Sequence, residues 1–331
     1  MKLLMISTDK KMFQQGSAVS LRQIETAKKW EEVHIIVFTD KSFREVHFAP
    51  NVWVYPTRSG SKFMYAFDAK RLGKFLVKGR GITHVTTEDS SLTAMAGLAL
   101  KKQFKIQLEI NVHTDIGSKN FTWNFENKVR KAMALSYLPQ ADSVRVVSPR
   151  IKKYLTDDLK IEEGRITVRP IAVDADKIKN SPVTTNLKVK YVQFTKVVLV
   201  ASRLEKEKNV RLAIEAWPQV LAKVPRAGLV IVGSGRERER LEALVDRLGI
   251  AASVKFEDWA DEKTLISYYK TADVFLNTSL YEGYGMTLAE AKAAGTKIVS
   301  TDVGIAKEAG AIIAVWKADD VADKIVYSVG Q

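Results

Sequence analysis

The sequence of 331 residues contains no cysteine, which excludes disulfides, thiolate nucleophiles and cysteine-ligated metal clusters. Long apolar runs are lacking too, since none approaches the ~18 residues that a membrane-spanning helix needs. Met1 to Ser7 is apolar only briefly before Asp9, Lys10 and Lys11 intervene. That is too short for a secretory signal and suits a buried first strand. There is no low-complexity stretch and no internal repeat. A reducing cytoplasm fits these absences.

What is present is the composition of an ordinary globular protein, 46% hydrophobic, in a chain long enough for two α/β domains. The net charge of +14 is unevenly spread. Residues 1–180 hold 31 Lys/Arg against 19 Asp/Glu, a surplus of +12, and residues 181–331 hold 21 against 19. A basic first half leaves three readings: a solvated surface, attraction to the anionic inner face of a membrane, or nucleic acid. Nucleic acid ranks last, because no binding motif accompanies the charge. The segment 70–80 interleaves Leu72, Phe75, Leu76 and Val77 with five cations. As a helix it would lay the apolar side chains either on lipid or on its own core.

Short β-branched runs alternate with amphipathic segments throughout. One series of strands is expected at 2–7, 33–38, 52–55, 82–86, 105–111, 143–147 and 166–168. A second is expected at 196–201, 228–232, 253–256, 273–277, 297–300 and 311–315. Strand–helix alternation argues for parallel sheets covered on both faces. Two series argue for two Rossmann-like domains, at 1–170 and 191–331, joined by a linker at 171–190 where Pro170, Pro182 and Thr184-Thr185-Asn186 break the pattern. Ligands of such sheets gather at the strand C-termini, so two facing sheets imply a cleft.

Two segments of the second series carry chemistry. Ser279 to Ala291 (SLYEGYGMTLAEA) follows the strand 273–277 and enters a helix near Gly285. Gly283 and Gly285 let a ligand approach the backbone, and the helix start offers unpaired amides to phosphate or sugar hydroxyls. Glu282 and Glu290 are carboxylates able to accept hydrogen bonds from paired hydroxyls; capping and solvation are their plainer alternatives. Val200 to Asn209 (VASRLEKEKN) places Arg203 and Lys208 between a strand end and a helix start, where two cations suit a diphosphate.

With Val232-Gly233-Ser234-Gly235, Ala272-Asp273-Val274 and Ala294-Gly295-Thr296, these segments resemble glycosyltransferase family 4, the retaining enzymes of the GT-B fold. The first half matches more loosely, through Gln15-Gly16-Ser17, Leu108 to Asp115 (LEINVHTD) and Ala141 to Ser148. The resemblance implies an α/β GT-B protein, two Rossmann-like domains with parallel sheets facing across a cleft. It also implies a transferase moving a sugar from a nucleotide-diphosphate sugar to an acceptor hydroxyl, in cell-envelope glycan or glycolipid synthesis. Arg203 and Lys208 would hold the diphosphate, and Glu290 the ribose. Glu282 would hold the transferred sugar with the backbone of Gly283, Tyr284, Gly285, Met286 and Thr287. His113 would lie near the reacting carbon and Gly16 near the diphosphate and acceptor. No metal or other cofactor is implied, because the two cations stand where a metal would otherwise balance the leaving phosphate.

Other signals carry less. Asp174-Ala175-Asp176 spells a metal-binding pattern of a different glycosyltransferase fold but falls in the expected linker. Gly233-Ser234-Gly235 begins a dinucleotide fingerprint whose third glycine position holds Arg238. His34, His47 and His84 have no paired ligands in sequence. The chain departs from the family pattern at Asp258, where glycine is usual, and at Lys297, where proline is common. It ends soon after a helix expected at 318–327, where family members continue into a helix that returns to the first domain. Three rival functions remain: a hydrolase or epimerase of nucleotide sugars, a non-catalytic nucleotide-sugar-binding subunit, and an NAD-dependent dehydrogenase. The last lacks a complete glycine fingerprint in either half.

Overall fold

A computed structural model describes residues 1–330. The chain divides into two compact units, Met1–Arg169 and Pro170–Gln331. The first carries β1 (Lys2–Ser7), α1 (Ala18–Ala27), β2 (Glu32–Val37), β3 (Val46–Ala49), β4 (Val52–Pro56), α2 (Tyr65–Arg80) and β5 (His84–Thr87). It continues through α3 (Leu92–Phe104), β6 (Gln107–Val112), α4 (Phe125–Tyr137), β7 (Ser143–Val146), α5 (Pro149–Asp157) and β8 (Ile166–Val168). The eight strands form one sheet in the order β3-β4-β2-β1-β5-β6-β7-β8. Each pairing is parallel except β3 with β4.

The second unit opens with α6 (Ala175–Asn180) and α7 (Leu187–Lys190). It continues as β9 (Lys196–Ala201), α8 (Val210–Lys223), β10 (Ala227–Val232), α9 (Arg238–Arg247), β11 (Val254–Glu257) and α10 (Glu262–Thr271). Then come β12 (Val274–Asn277), α11 (Met286–Ala293), β13 (Lys297–Thr301), β14 (Ile312–Ala314) and α12 (Ala318–Gly330). Its sheet is parallel throughout, in the order β11-β10-β9-β12-β13-β14.

The β-branched runs of the sequence form these strands because parallel strands are covered on both faces and need no polar alternation. In β9, Val198 and Val200 enter one core with Trp217 and Leu229. Val197, Leu199 and Ala201 enter another with Tyr269 and Phe275. One sheet thus separates two cores, as doubly wound folds require.

Residues 171–190, read from sequence as a linker, fall in the second unit. Leu187 is fully buried among its core side chains. Thr184 N donates to Ser267 Oγ at 2.9 Å, and Lys188 Nζ pairs with Asp273 Oδ1 at 2.9 Å. The apolar residues of 70–80 also divide. Leu76 and Val77 are buried with Ala66, Ala69 and Gly73 on the inner face of α2, while Phe75 is exposed.

Candidate functional site

The strand order of the second sheet reverses direction between β9 and β12. A doubly wound sheet places its ligand crevice at such a switch point, beyond the strand C-termini. Ser202 to Asn209 leaves β9 there, and Thr278 to Gly285 leaves β12. The two loops are stitched together. Leu280 N donates to Glu207 O at 2.8 Å, and Thr278 Oγ1 donates toward Asn209 O at 3.0 Å.

Between the loops, Lys208 Nζ lies 2.5 Å from Glu282 Oε1. Both side chains are mostly buried, with relative exposures of 16% and 14%. Ser279 Oγ stands 2.8 Å from the same carboxylate oxygen and 2.7 Å from Asn277 Oδ1, so one hydroxyl proton serves two acceptors. Ser279 O accepts from Thr301 Oγ1 at 2.7 Å and from Trp316 Nε1 at 3.0 Å. Glu282 is therefore fixed by a cation on one loop and a hydroxyl on its own. Arg203 is more open: its side chain is 64% exposed and its guanidinium pairs with Glu207 at 2.9 Å.

Gly285 stands at the start of α11 with φ +92°, a left-handed conformation that a side chain would strain. The turn it makes brings the half-buried Gly283, Tyr284, Met286 and Thr287 to the helix start. First-turn amides of a helix have no intrahelical acceptor and lie at its positive end. Glu290, one turn along α11, accepts from Tyr269 Oη at 3.1 Å. Burial pushes the Glu290 carboxyl above its ordinary value, and the Tyr269 hydrogen bond acts against that shift.

Gly16 and His113 belong to the first unit, at the C-terminal side of its sheet. Gly16 precedes α1, whose cap Ser17 accepts from Ser20 N at 3.1 Å. His113 directly follows β6. It stands at the rim of a cavity of about 200 Å³ lined also by Glu88, Asp89, Thr114, Phe121 and Arg130. His113 is itself exposed; the protein packed around it, then the charge of Arg145, holds its pKa below the ordinary histidine value. Glu88 follows β5 and contacts the Ser7 hydroxyl at the end of β1, at the first sheet's own switch point. Burial raises its carboxyl pKa.

Thus the second unit gathers Lys208, Glu282 and the 283–287 backbone beside Arg203 and Glu290, while Gly16 and His113 sit in the other unit. Sequence reading missed Glu88 and Trp316. Glu88 carried one usable signal, its position just past a strand expected at 82–86. Trp316 carried none, because its hydrogen bond reaches 37 positions back. Asp174 caps α6 by accepting from Lys177 N at 2.9 Å, and Asp176 lies in the first turn of that helix. His34 is buried between Tyr55 and Glu32, bonded to both.

Two family models match the chain, Glycosyltransferase Family 4 over residues 25–177 and Glycosyl transferases group 1 over residues 188–325. Both units carry the family 4 glycosyltransferase pattern. The fold is GT-B, two parallel-sheet α/β domains. An uncharacterised glycosyltransferase of Methanocaldococcus jannaschii is 29% identical over 73% of this chain and 63% of its own length. The α-monoglucosyldiacylglycerol synthase of Acholeplasma laidlawii is 24% identical over 75% of this chain and 65% of its own. The matches therefore span just under two thirds of these two relatives. Among solved structures, HepE of Anabaena in complex with UDP and glucose superposes with a TM-score of 0.73 at 18% identity, over 99% of this chain and 90% of that one.

Proposed function

We propose that this family 4 chain is a retaining, metal-independent glycosyltransferase that takes a sugar from a nucleotide-diphosphate sugar held by its second unit. The observation that carries this reading is the buried Lys208–Glu282 pair, braced by Ser279, at the switch point of the second sheet. Arg203 and Lys208 supply positive charge for the diphosphate, joined by the amides at the start of α11. Glu282 and the 283–287 backbone take the sugar hydroxyls, and Glu290 the ribose.

The work asked of these residues is electrostatic. As the bond between the sugar's anomeric carbon and the diphosphate breaks, negative charge grows on the leaving oxygen beside the cations. The acceptor oxygen forms its bond on the same face, and its proton passes to the leaving phosphate. Such a reaction needs no separate base and keeps the anomeric configuration. His113 and Gly16 are assigned to the acceptor side, in the first unit. The acceptor is a cell-envelope glycan or glycolipid hydroxyl, and the chain works in the cytoplasm, peripheral at the inner face of the membrane. The surplus of positive charge in residues 1–180 supports that reading, as does the lipid-named relative from Acholeplasma. No described helix is long and apolar enough to cross a membrane.

Thermal-shift titration with UDP-, GDP-, ADP- and dTDP-sugars tests the donor, because a ligand bound only by the folded state raises the melting point by mass action. At least one should do so with EDTA in excess. If none does, or if a divalent cation is required, the reading fails in that respect. Proton NMR of the product then reads the configuration, and inversion would overturn the retaining assignment.

A further inference from the structure

We propose that the outer face of α2, with the turn that leads into it, docks on an anionic lipid bilayer. Phe63 is 91% exposed, Phe67 60%, Phe75 71% and Met64 45%. Their positions, with Lys70, Arg71, Lys74 and Lys78, recur at intervals of three and four, so they share one side of the helix. Ala66, Ala69, Gly73, Leu76 and Val77 fill the opposite side and are buried. The helix therefore has two apolar aspects. One is used by the fold, and the other, made of the larger side chains, stands in water.

Three phenylalanines on one exposed face are more than scattered surface hydrophobics, and such patches mark interaction surfaces. The charge around them selects the partner. Asp68 is the single acid of α2, and its carboxylate is tied to Arg71 at 3.1 Å. Lys62, Lys70, Lys74 and Lys78 flank the rings along the whole length. A protein groove takes an apolar centre with charge at its rim. Here cations and rings alternate, which matches a bilayer interface: rings sink below the phosphates, and lysine stems lie along them with ammonium groups among the headgroups. The sequence pattern at 70–80 pointed to this helix but left Leu72, Phe75, Leu76 and Val77 open between lipid and the core. The structure buries Leu76 and Val77, leaves Phe75 exposed, and adds the exposed Phe63, Met64 and Phe67, which lie before that segment.

The inference names a partner for the proposed transferase and rests on that reading for its purpose, not for its geometry. The full chain is sedimented with vesicles of phosphatidylcholine alone and of phosphatidylcholine with phosphatidylglycerol in equal parts. It should bind the second and not the first, and release at high salt. Phe67→Ser with Phe75→Ser should lower binding at least about tenfold, and Lys70→Gln with Lys74→Gln and Lys78→Gln should abolish the anionic preference. Neither set should alter the melting-point rise given by a nucleotide sugar, which reads the other unit. Vesicle binding without any nucleotide-sugar shift would fail the transferase and leave this surface standing. Absent vesicle binding, equal binding to both vesicles, binding unchanged in the variants, or capture of single-stranded RNA in place of vesicles would each overturn it.

Discussion

Lys208 and Glu282, 74 positions apart in sequence, meet at 2.5 Å with both side chains mostly out of water. The contact closes the β9 loop onto the β12 loop, so the same ion pair serves fold and site. Removing one partner leaves the other charge partly buried, whereas replacing both by neutral groups of similar shape does not. Lys208→Ala should therefore cost about 1–3 kcal/mol of stability. Lys208→Met combined with Glu282→Gln should cost less than the sum of the two single changes. Denaturant unfolding of all three variants measures this, and strict additivity would count against a coupled pair.

Arg203 gives the opposite pattern. Its side chain is 64% exposed and its partner Glu207 lies four positions on in the same loop, so Arg203→Ala should change stability by less than about 0.5 kcal/mol. Donor binding should nonetheless weaken by about 1.5–3 kcal/mol, the worth of a charge-assisted hydrogen bond to phosphate. Isothermal titration against a nucleotide sugar separates the two effects.

If Glu290 takes the ribose as proposed, it should make donor binding depend on pH. Burial raises its pKa above the ordinary 4.5, so the carboxyl takes its proton at a higher pH than an exposed glutamate does. Once protonated it is a poorer acceptor for ribose hydroxyls, and donor affinity should fall as pH drops through that raised value. Glu290→Gln should remove the acid limb. Tyr269→Phe deletes a hydrogen bond that favours the charged form, and should move the limb further up. Affinity measured across the acid range checks both directions.

In the first unit, Glu88 links pH to stability. Its folded pKa is raised by burial, beyond what its contact with Ser7 offsets. A carboxyl with a raised folded pKa contributes stability that is full below the unfolded value and is lost as pH rises through the folded one. Glu88→Gln should thus gain on the unaltered protein at neutral pH and lose that advantage below pH 4.5. Melting scans at the two pH values are the measurement.

The sheets were legible because parallel strands are runs of β-branched residues, such as Lys196–Ala201, that stand apart from helical periods. Only β3 escaped. It is four residues long, pairs antiparallel at the sheet edge and is half-exposed, so no apolar run announces it. The loop segments of the second unit were legible as a spacing of Arg203, Lys208, Glu282 and glycines. Their coupling was not: no local pattern says that Lys208 reaches Glu282 or that Trp316 reaches Ser279. That Phe63 and Phe67 are exposed, as Phe75 is, escaped for a related reason. Sequence gives the helical period of 70–80, but only packing tells which arc faces the core.

The segment between Pro170 and Lys190 has a further consequence, for how such proteins can be recombined. Lys190 and Tyr191 join Tyr268 around the Glu257 carboxylate, with Lys190 Nζ at 2.7 Å and both tyrosine hydroxyls at 2.5 Å. Lys270 Nζ reaches back to Lys179 O at 2.8 Å. A seam cut at residue 191 would strip Glu257 of its lysine and open the pocket that Leu187 fills. A seam at Pro170 cuts neither. A graft that exchanges the second unit between relatives would therefore carry these twenty residues along with the unit they brace, and the natural joint of the chain lies before them.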